Sequence, residues 1–324
     1  MGKLVVLMVA AIILAVPVGV GGVWVYEGQW GSSGSGNGQF DWPAAIAVGP
    51  DGRVFVTDGR NCRVQYFSPA GSFRGKWGRE GSGNGLFEAP TGIAVGPGYR
   101  VYVVDGYSNR IQYFTSTGSF LGKWGSYGTG DGEFDSPFGC GCAANGDFYV
   151  ADQDNDRIQY FTSSGSFLGK WGTTGPLNGQ FDYCSALTFN RPGNVYVTDY
   201  FNDRVQRFSP TGSFLGKFGG YGNGNGFFRG PHGPALSPGD NRIYVTDINN
   251  HRIQYFTPAG EYVGKFGERG SGDGQFEDPM AVAFSPTGAR LYVVDRGNNR
   301  IQYFRWSGPA VEPASLGRVK AIFR

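Results

Sequence analysis

The stretch "NNRIQYF", residues 298–304, decides the fold because the chain writes it six times. Its relatives are "NCRVQYF" (61–67), "SNRIQYF" (108–114), "NDRIQYF" (155–161), "NDRVQRF" (202–208) and "NHRIQYF" (250–256). Each follows a short apolar run ending in Asp58, Asp105, Asp152, Asp199, Asp247 or Asp295, so the spacing is 47, 47, 47, 48 and 48 residues. A period of this length means one supersecondary unit repeated, which overrides the two-domain prior that 324 residues would set.

One unit, residues 87–125, reads "FEAPTGIAVGPGYRVYVVDGYSNRIQYFTSTGSFLGKWG". Four apolar runs, "GIAV", "VYVV", "IQYF" and "FLGKW", are separated by Gly, Pro, Ser, Asn and Asp clusters that supply turn geometry. In the second run Val101 and Val103 face one side of the pleat while Tyr102 and Val104 face the other. A sheet apolar on both faces must be covered on both. No stretch of the unit keeps a 3.6-residue apolar period over a helical length, and the 57 glycines of the chain disfavour helix. The unit is therefore a four-stranded sheet sandwiched between copies of itself. Six such sheets bury every face if they close into a ring, which predicts an all-β, six-bladed β-propeller of antiparallel blades. The chain ends support closure. The last copy runs "MAVAFS", "RLYVVD" and "RIQYFRW" without a fourth strand, whereas "WVYEGQWG" (24–31) precedes the first copy and resembles the missing piece. The N-terminal strand is expected to complete the sixth blade.

The pattern G-x-G-(N/D)-G-x-F, P-x-G-I-A-V, V-Y-V-x-D-x-x-N-x-R-I-Q-x-F and F-x-G-K-(W/F)-G resembles the NHL repeat, over nearly all of residues 24–306. That resemblance implies a six-bladed propeller but leaves function open, because members of this family include lyases, lactonase-like enzymes, RNA-binding modules and protein-binding modules.

Three segments are expected: a signal peptide (1–22), the propeller (23–306) and a C-terminal tail (307–324). The first residues, "MGKLVVLMVAAIILAVPVGVGG", carry one Lys and then an apolar run, the layout of an export signal. The expected location is secreted or periplasmic, with a membrane anchor through an uncleaved N-terminal segment as the alternative. The tail contains "SLGRVKAIFR", with Val319, Ile322 and Phe323 at helical spacing, suited to docking or sorting. Repeat alignment puts Cys140 and Cys142 on the innermost strand of the third blade and Cys184 on that of the fourth. A Cys140–Cys184 disulfide and a set of buried free thiols both remain open, and Cys62 lies in a turn of the first blade.

The Asp and Arg of each repeat form six candidate pairs: Asp58 with Arg63, Asp105 with Arg110, Asp152 with Arg157, Asp199 with Arg204, Asp247 with Arg252, and Asp295 with Arg300. A catalytic pair is needed once, so sixfold repetition marks a structural role in fixing each turn. Trp30, Trp77, Trp124, Trp171, Phe218 and Phe266 recur at one blade position and read as packing. The innermost strands, "AAIAV", "TGIAV", "FGCGC", "SALTF", "HGPAL" and "MAVAF", bring only His232 and cysteines toward the axis. No metal set and no catalytic residue emerge, and no cofactor is called for. The formal net charge of +2 offers no basic face for nucleic acid.

Departures from the repeated phrase are where a partner could be read. The turns after the recurring Asp supply Arg60, Tyr107, Asp154, Tyr200, Phe201, Asn249 and Arg296, and the segments leading into the innermost strands supply Trp42, Phe138, Tyr183, His232 and Met280. These are residue types that anchor interfaces. The expectation is an exported, non-enzymatic scaffold that binds a protein or other extracellular ligand on this face. The alternative is a metal-dependent lyase or lactonase-like hydrolase with an ion on the channel axis.

Overall fold

A computed structural model describes residues 22–308. Apart from Gly22, Ser307 and Gly308, the expected signal and tail lie outside the described residues. Among the described residues no helix is long and apolar enough to cross a membrane.

The runs fold into six four-stranded antiparallel sheets. Blade 2 is representative, with strands Pro90–Gly96, Arg100–Asp105, Arg110–Phe114 and Phe120–Trp124 joined in chain order. The second strand of each blade is buried, apart from the opening Arg100 and Arg290 of two of them, as an element covered on both faces must be. In the sixth blade the outermost strand is Trp24–Trp30, which pairs antiparallel with Arg300–Trp306, from Trp24 opposite Trp306 to Trp30 opposite Ile301. Glu27 forms a two-pronged ion pair with Arg290 at 2.7 and 2.9 Å, and Trp24 Nε1 donates to the Tyr244 hydroxyl at 3.1 Å. Past the strand, Ser307 N donates to the Val23 carbonyl at 3.0 Å. The two ends of the propeller are thus held by hydrogen bonds across almost the whole chain length.

Neighbouring blades meet through aromatic rings. Trp77 of blade 1 lies under the turn glycine Gly118 of blade 2, where φ is +93° and an added Cβ would fall 2.7 Å from the indole. Only glycine satisfies both the left-handed backbone and the close ring. Trp30, Trp124, Trp171 and Phe218 pack in the same way against Gly71, Gly165, Gly212 and Gly260. These rings are interior packing, and a phenylalanine from each lead-in loop (Phe40, Phe87, Phe134, Phe181, Phe228 and Phe276) plugs each seam with no exposure.

The repeated polar phrase builds a buried hub. In blade 1, Asp58 Oδ2 accepts from Arg63 Nε at 2.7 Å and Gln65 Nε2 at 3.1 Å, while Oδ1 accepts from Asp41 N at 2.8 Å and Asn61 Nδ2 at 3.0 Å. Arg63 spends its remaining donors on the Ser35, Gly36 and Gln39 carbonyls of the loop "GSGNGQF". Equivalent Arg–Asp contacts of 2.6–3.0 Å recur in all six blades with the carboxylates fully buried. Desolvation pushes the carboxyls of Asp58, Asp152, Asp199 and Asp247 upward, against the pull of their backbone and arginine donors. Each hub ties the loop arriving from the previous blade to the blade that follows. Replacing Asp199 by Ala leaves Arg204 buried and unpaired, and should lower stability by about 3–5 kcal/mol in urea denaturation. A loss below about 1 kcal/mol would show the hub to be dispensable.

Candidate functional site

Outside the hub, a second repeated contact joins blades. The last residue of each turn after the Asp takes a left-handed backbone, with φ near +50° at Cys62, Asn109, Asp156, Asp203, His251 and Asn299. In five of the six seams its side chain accepts the N–H that opens the innermost strand of the following blade. The pairs are Asn109 with Ser136 (2.8 Å), Asp156 with Tyr183 (2.7 Å), Asp203 with Gly230 (2.8 Å), His251 with Asp278 (3.4 Å) and, across the closure, Asn299 with Trp42 (3.0 Å). The seam between blades 1 and 2 lacks this latch. There the Cys62 thiol donates instead to the Glu88 carbonyl at 3.4 Å, and the N–H groups of Glu88 and Ala89 both turn to Asp105.

A cavity of about 540 Å3 includes this unlatched seam. Trp42, Arg60, Tyr107, Phe138 and Tyr183 line it, joined by Glu80 and Glu88, which sequence reasoning missed. The volume suits a small organic ligand. Beside it Tyr183, Tyr200 and Phe201 form an aromatic triad with centroids 5.0–5.9 Å apart, and the Asn249 amide reaches the Tyr200 hydroxyl at 3.5 Å. Arg60 and Arg296 stand 4.2 and 4.6 Å from the Trp42 ring centroid. Asp154 is exposed and does not line the cavity. Met280 and His232 are 4% exposed, so neither is a surface anchor, contrary to their placement on the partner face. His232 packs edge-on against Phe138, its Nδ1 lies 3.1 Å from the Met280 carbonyl, and burial together with Arg296 pushes its pKa down to about 3.

The Cys140–Cys184 disulfide does not form. All four cysteines are free, with Cys184 Sγ seated against the Asp152 and Arg157 carbonyls of blade 3 and Cys140 packed in the blade 2–3 core. Burial raises the Cys62, Cys140, Cys142 and Cys184 thiols, which keeps them protonated.

A candidate set of metal ligands lies off the innermost strands, where none was expected. His251, Glu277 and Asp278 bring one ligand atom each within 4.8 Å of one another, at the seam between blades 5 and 6. All three are half-buried. His251 occupies the latch position that Asn or Asp fills elsewhere, and its contact to Asp278 N is the longest of the five. Arg269 holds the Glu277 carboxylate at 3.1 and 3.2 Å, and these hydrogen bonds lower its pKa. Asp278 also lies 3.8 Å from Arg296, which in turn reaches Trp42 at the cavity wall. The signal was present as a 27-residue offset: apart from Asn299 at the closure, each latch residue meets the residue 27 positions later, so His251 belongs with Asp278.

The NHL repeat family matches at residues 40–67 and 228–256. The chain is an NHL-repeat six-bladed propeller. No curated protein sequence matches it. Among solved structures the propeller is similar to virginiamycin B lyase from Staphylococcus aureus, at 18% identity and TM-score 0.56, covering 83% of this chain and 85% of that one. It is also similar to a catalytically inactive histidine-to-alanine form of that lyase with quinupristin, at 17% identity and TM-score 0.57, covering 88% of each. A third is Kuenenia stuttgartiensis hydrazine synthase, at 14% identity and TM-score 0.59, covering 83% of this chain and 97% of that one. These likenesses establish the shared fold.

The expectation of a non-enzymatic, protein-binding scaffold is therefore corrected. It rested on the lack of a ligand set, and the seam between blades 5 and 6 supplies one in a fold shared with lyases. The alternative reading is the better supported, with the candidate ligand set at the seam between blades 5 and 6.

Two measurements check the site's scaffold. His232 is held neutral in the fold against an ordinary pKa of about 6.5, so the unfolded chain binds more protons between pH 6.5 and 3 and stability must fall as pH drops through that window. From pH 7 to 5 the native protein should lose about 2 kcal/mol more than His232→Gln in denaturant titrations; parallel losses would show that His232 carries no such linkage. Asn109→Ala, which removes one latch, should cost about 1 kcal/mol, and no change would show the latch to be idle.

Proposed function

We propose that the protein is an enzyme, a metal-dependent lyase or hydrolase acting on a small organic substrate bound at the channel mouth. The observation that carries this reading is the His251, Glu277 and Asp278 cluster, linked through Arg296 and Trp42 to the 540 Å3 cavity. One imidazole and two carboxylates suit a borderline or hard divalent ion, and three protein ligands with partial exposure leave positions open to water or substrate. A bound ion would supply Lewis-acid polarisation of a carbonyl oxygen or a water of lowered pKa. Arg269 would exchange Glu277 for solvent on binding, a small cost because that ion pair is exposed.

The chain's own residues do the rest. Trp42, Phe138 and Tyr183 provide an apolar wall that displaces water from the substrate, and the Arg60 guanidinium offers donors to its polar end. The inactive lyase variant supports the reading, since a single histidine is essential to an enzyme of this architecture and the present chain also presents one imidazole at its cluster.

His251→Asn provides the decisive comparison, because Asn fills the same latch position at Asn109 and Asn299 without loss of the contact. Titration calorimetry with Mn2+ and Zn2+ should show about one ion per chain, with affinity reduced at least about tenfold in His251→Asn and Glu277→Gln while the melting temperature holds. Turnover of an ester and lactone panel should follow the ion and vanish on chelation. If neither metal binds the native chain, the reading is wrong.

A further inference from the structure

Arg60 and Arg296 differ from the six hub arginines. Each hub guanidinium reaches its aspartate at 2.6–3.0 Å and donates to carbonyls besides. Among the described residues, neither Arg60 nor Arg296 makes any side-chain hydrogen bond. Their nearest carboxylates, Asp41 and Asp278, stand at 3.7 and 3.8 Å, beyond hydrogen-bond distance. The Nε of Arg296 is buried with no partner at all. A buried donor left unmade is costly, and a guanidinium carries five donors in a fixed fork.

The two charges also share one ring. Both guanidinium carbons lie over the Trp42 indole, 4.2 and 4.6 Å from its centroid, with Arg60 exposed and Arg296 largely buried. Desolvation, with Arg60 contributing, disfavours the charged form of Arg296. Arg60 lines the aromatic cavity with its donors idle, and Arg296, outside the lining but on the same indole, keeps a buried Nε without a partner, so both guanidinium groups have donors to give an anion. Four carboxylates are near. Asp41 and Asp278 are misplaced for bonding, while Glu80 and Glu88 line the cavity but are exposed, where water and salt screen them.

We propose that this cavity binds an organic oxyanion, a carboxylate carried on an aromatic or apolar body, with the anion on the Arg60 fork beside Trp42 and in the field of Arg296 at the same ring, and the body against Phe138, Tyr107 and Tyr183. This deepens the reading above by naming the substrate or product class of the same cavity, yet the binding needs no ion at His251. Carboxylate recognition by guanidinium is charge-assisted and bidentate, so a neutral amide of the same shape is a poor substitute.

The probe is 1-naphthoate, compared with 1-naphthamide, in titration calorimetry on the full chain with and without a chelator. Naphthoate should bind at least about tenfold more tightly than naphthamide, weaken about tenfold in Arg296→Gln and in Arg60→Gln, and weaken as salt rises. Arg60 is exposed, so its variant tests the site even if Arg296→Gln melts early. Chelator and His251→Asn should leave naphthoate affinity unchanged. Equal binding of acid and amide, no binding of naphthoate to the folded chain, or unchanged affinity in Arg60→Gln would each overturn the proposal. Binding that disappears with the chelator would overturn it too, because the ion and not the guanidinium pair would then read the anion. Failure of metal binding or turnover, with naphthoate still bound, would sink the enzyme and leave this site standing.

Discussion

Everything in this propeller depends on a buried carboxylate that is never allowed to stand alone. Asp58 and its five counterparts sit at the end of a strand covered on both faces, where an unpaired charge would be prohibitively desolvated. Each is satisfied by arginine and backbone donors, and five of the six, all but Asp105, also by glutamine and asparagine. In the second blade Ser108 stands at the asparagine position, and its hydroxyl is buried without a partner. Because the same arginine also grips the carbonyls of the lead-in loop, local turn geometry and the joining of consecutive blades are one event. The hub's sixfold occurrence explains why the phrase around "NRIQYF" tolerates so little change.

Closure and latching are built from the same economy of backbone groups. The strand Trp24–Trp30 satisfies the edge that the last blade would otherwise expose, and Asn299 carries the latch across the junction to Trp42. The ring is not uniform, however. At the seam between blades 1 and 2 a thiol replaces the acceptor, the following N–H groups find another partner, and the cavity includes that seam. At the seam between blades 5 and 6 an imidazole replaces the acceptor and meets two carboxylates. Both candidate features therefore arise where one position of the scaffold departs from Asn or Asp.

The channel axis offered the intuitive place for chemistry, and it is nearly apolar. His232 is there, but its imidazole is spent on the Met280 carbonyl and enclosed by Phe138. The candidate ligands lie elsewhere, His251 before one strand and Glu277 with Asp278 before another, and Arg296 and Trp42 stand between them and the cavity. That placement has a physical advantage: half-buried groups can be charged, reached by substrate and still be oriented by a rigid β scaffold.

The sequence by itself determined the ring: six runs with both faces apolar, a repeated Asp–Arg phrase and a missing last strand admit one closed arrangement, because burial and backbone pairing are short-range demands written within each unit. Most of the aromatic and cationic rim was equally legible, as deviation from the repeat at Trp42, Arg60, Tyr107 and Tyr183. Tertiary structure decided what those residues do together. His251 and Glu277 are 26 positions apart and Trp42 and Arg296 more than 250, so their meeting depends on how blades abut, which no periodicity within a unit encodes. The same applies to Met280 and Cys140, whose burial and spacing follow from the packing of neighbouring blades and not from their own strands.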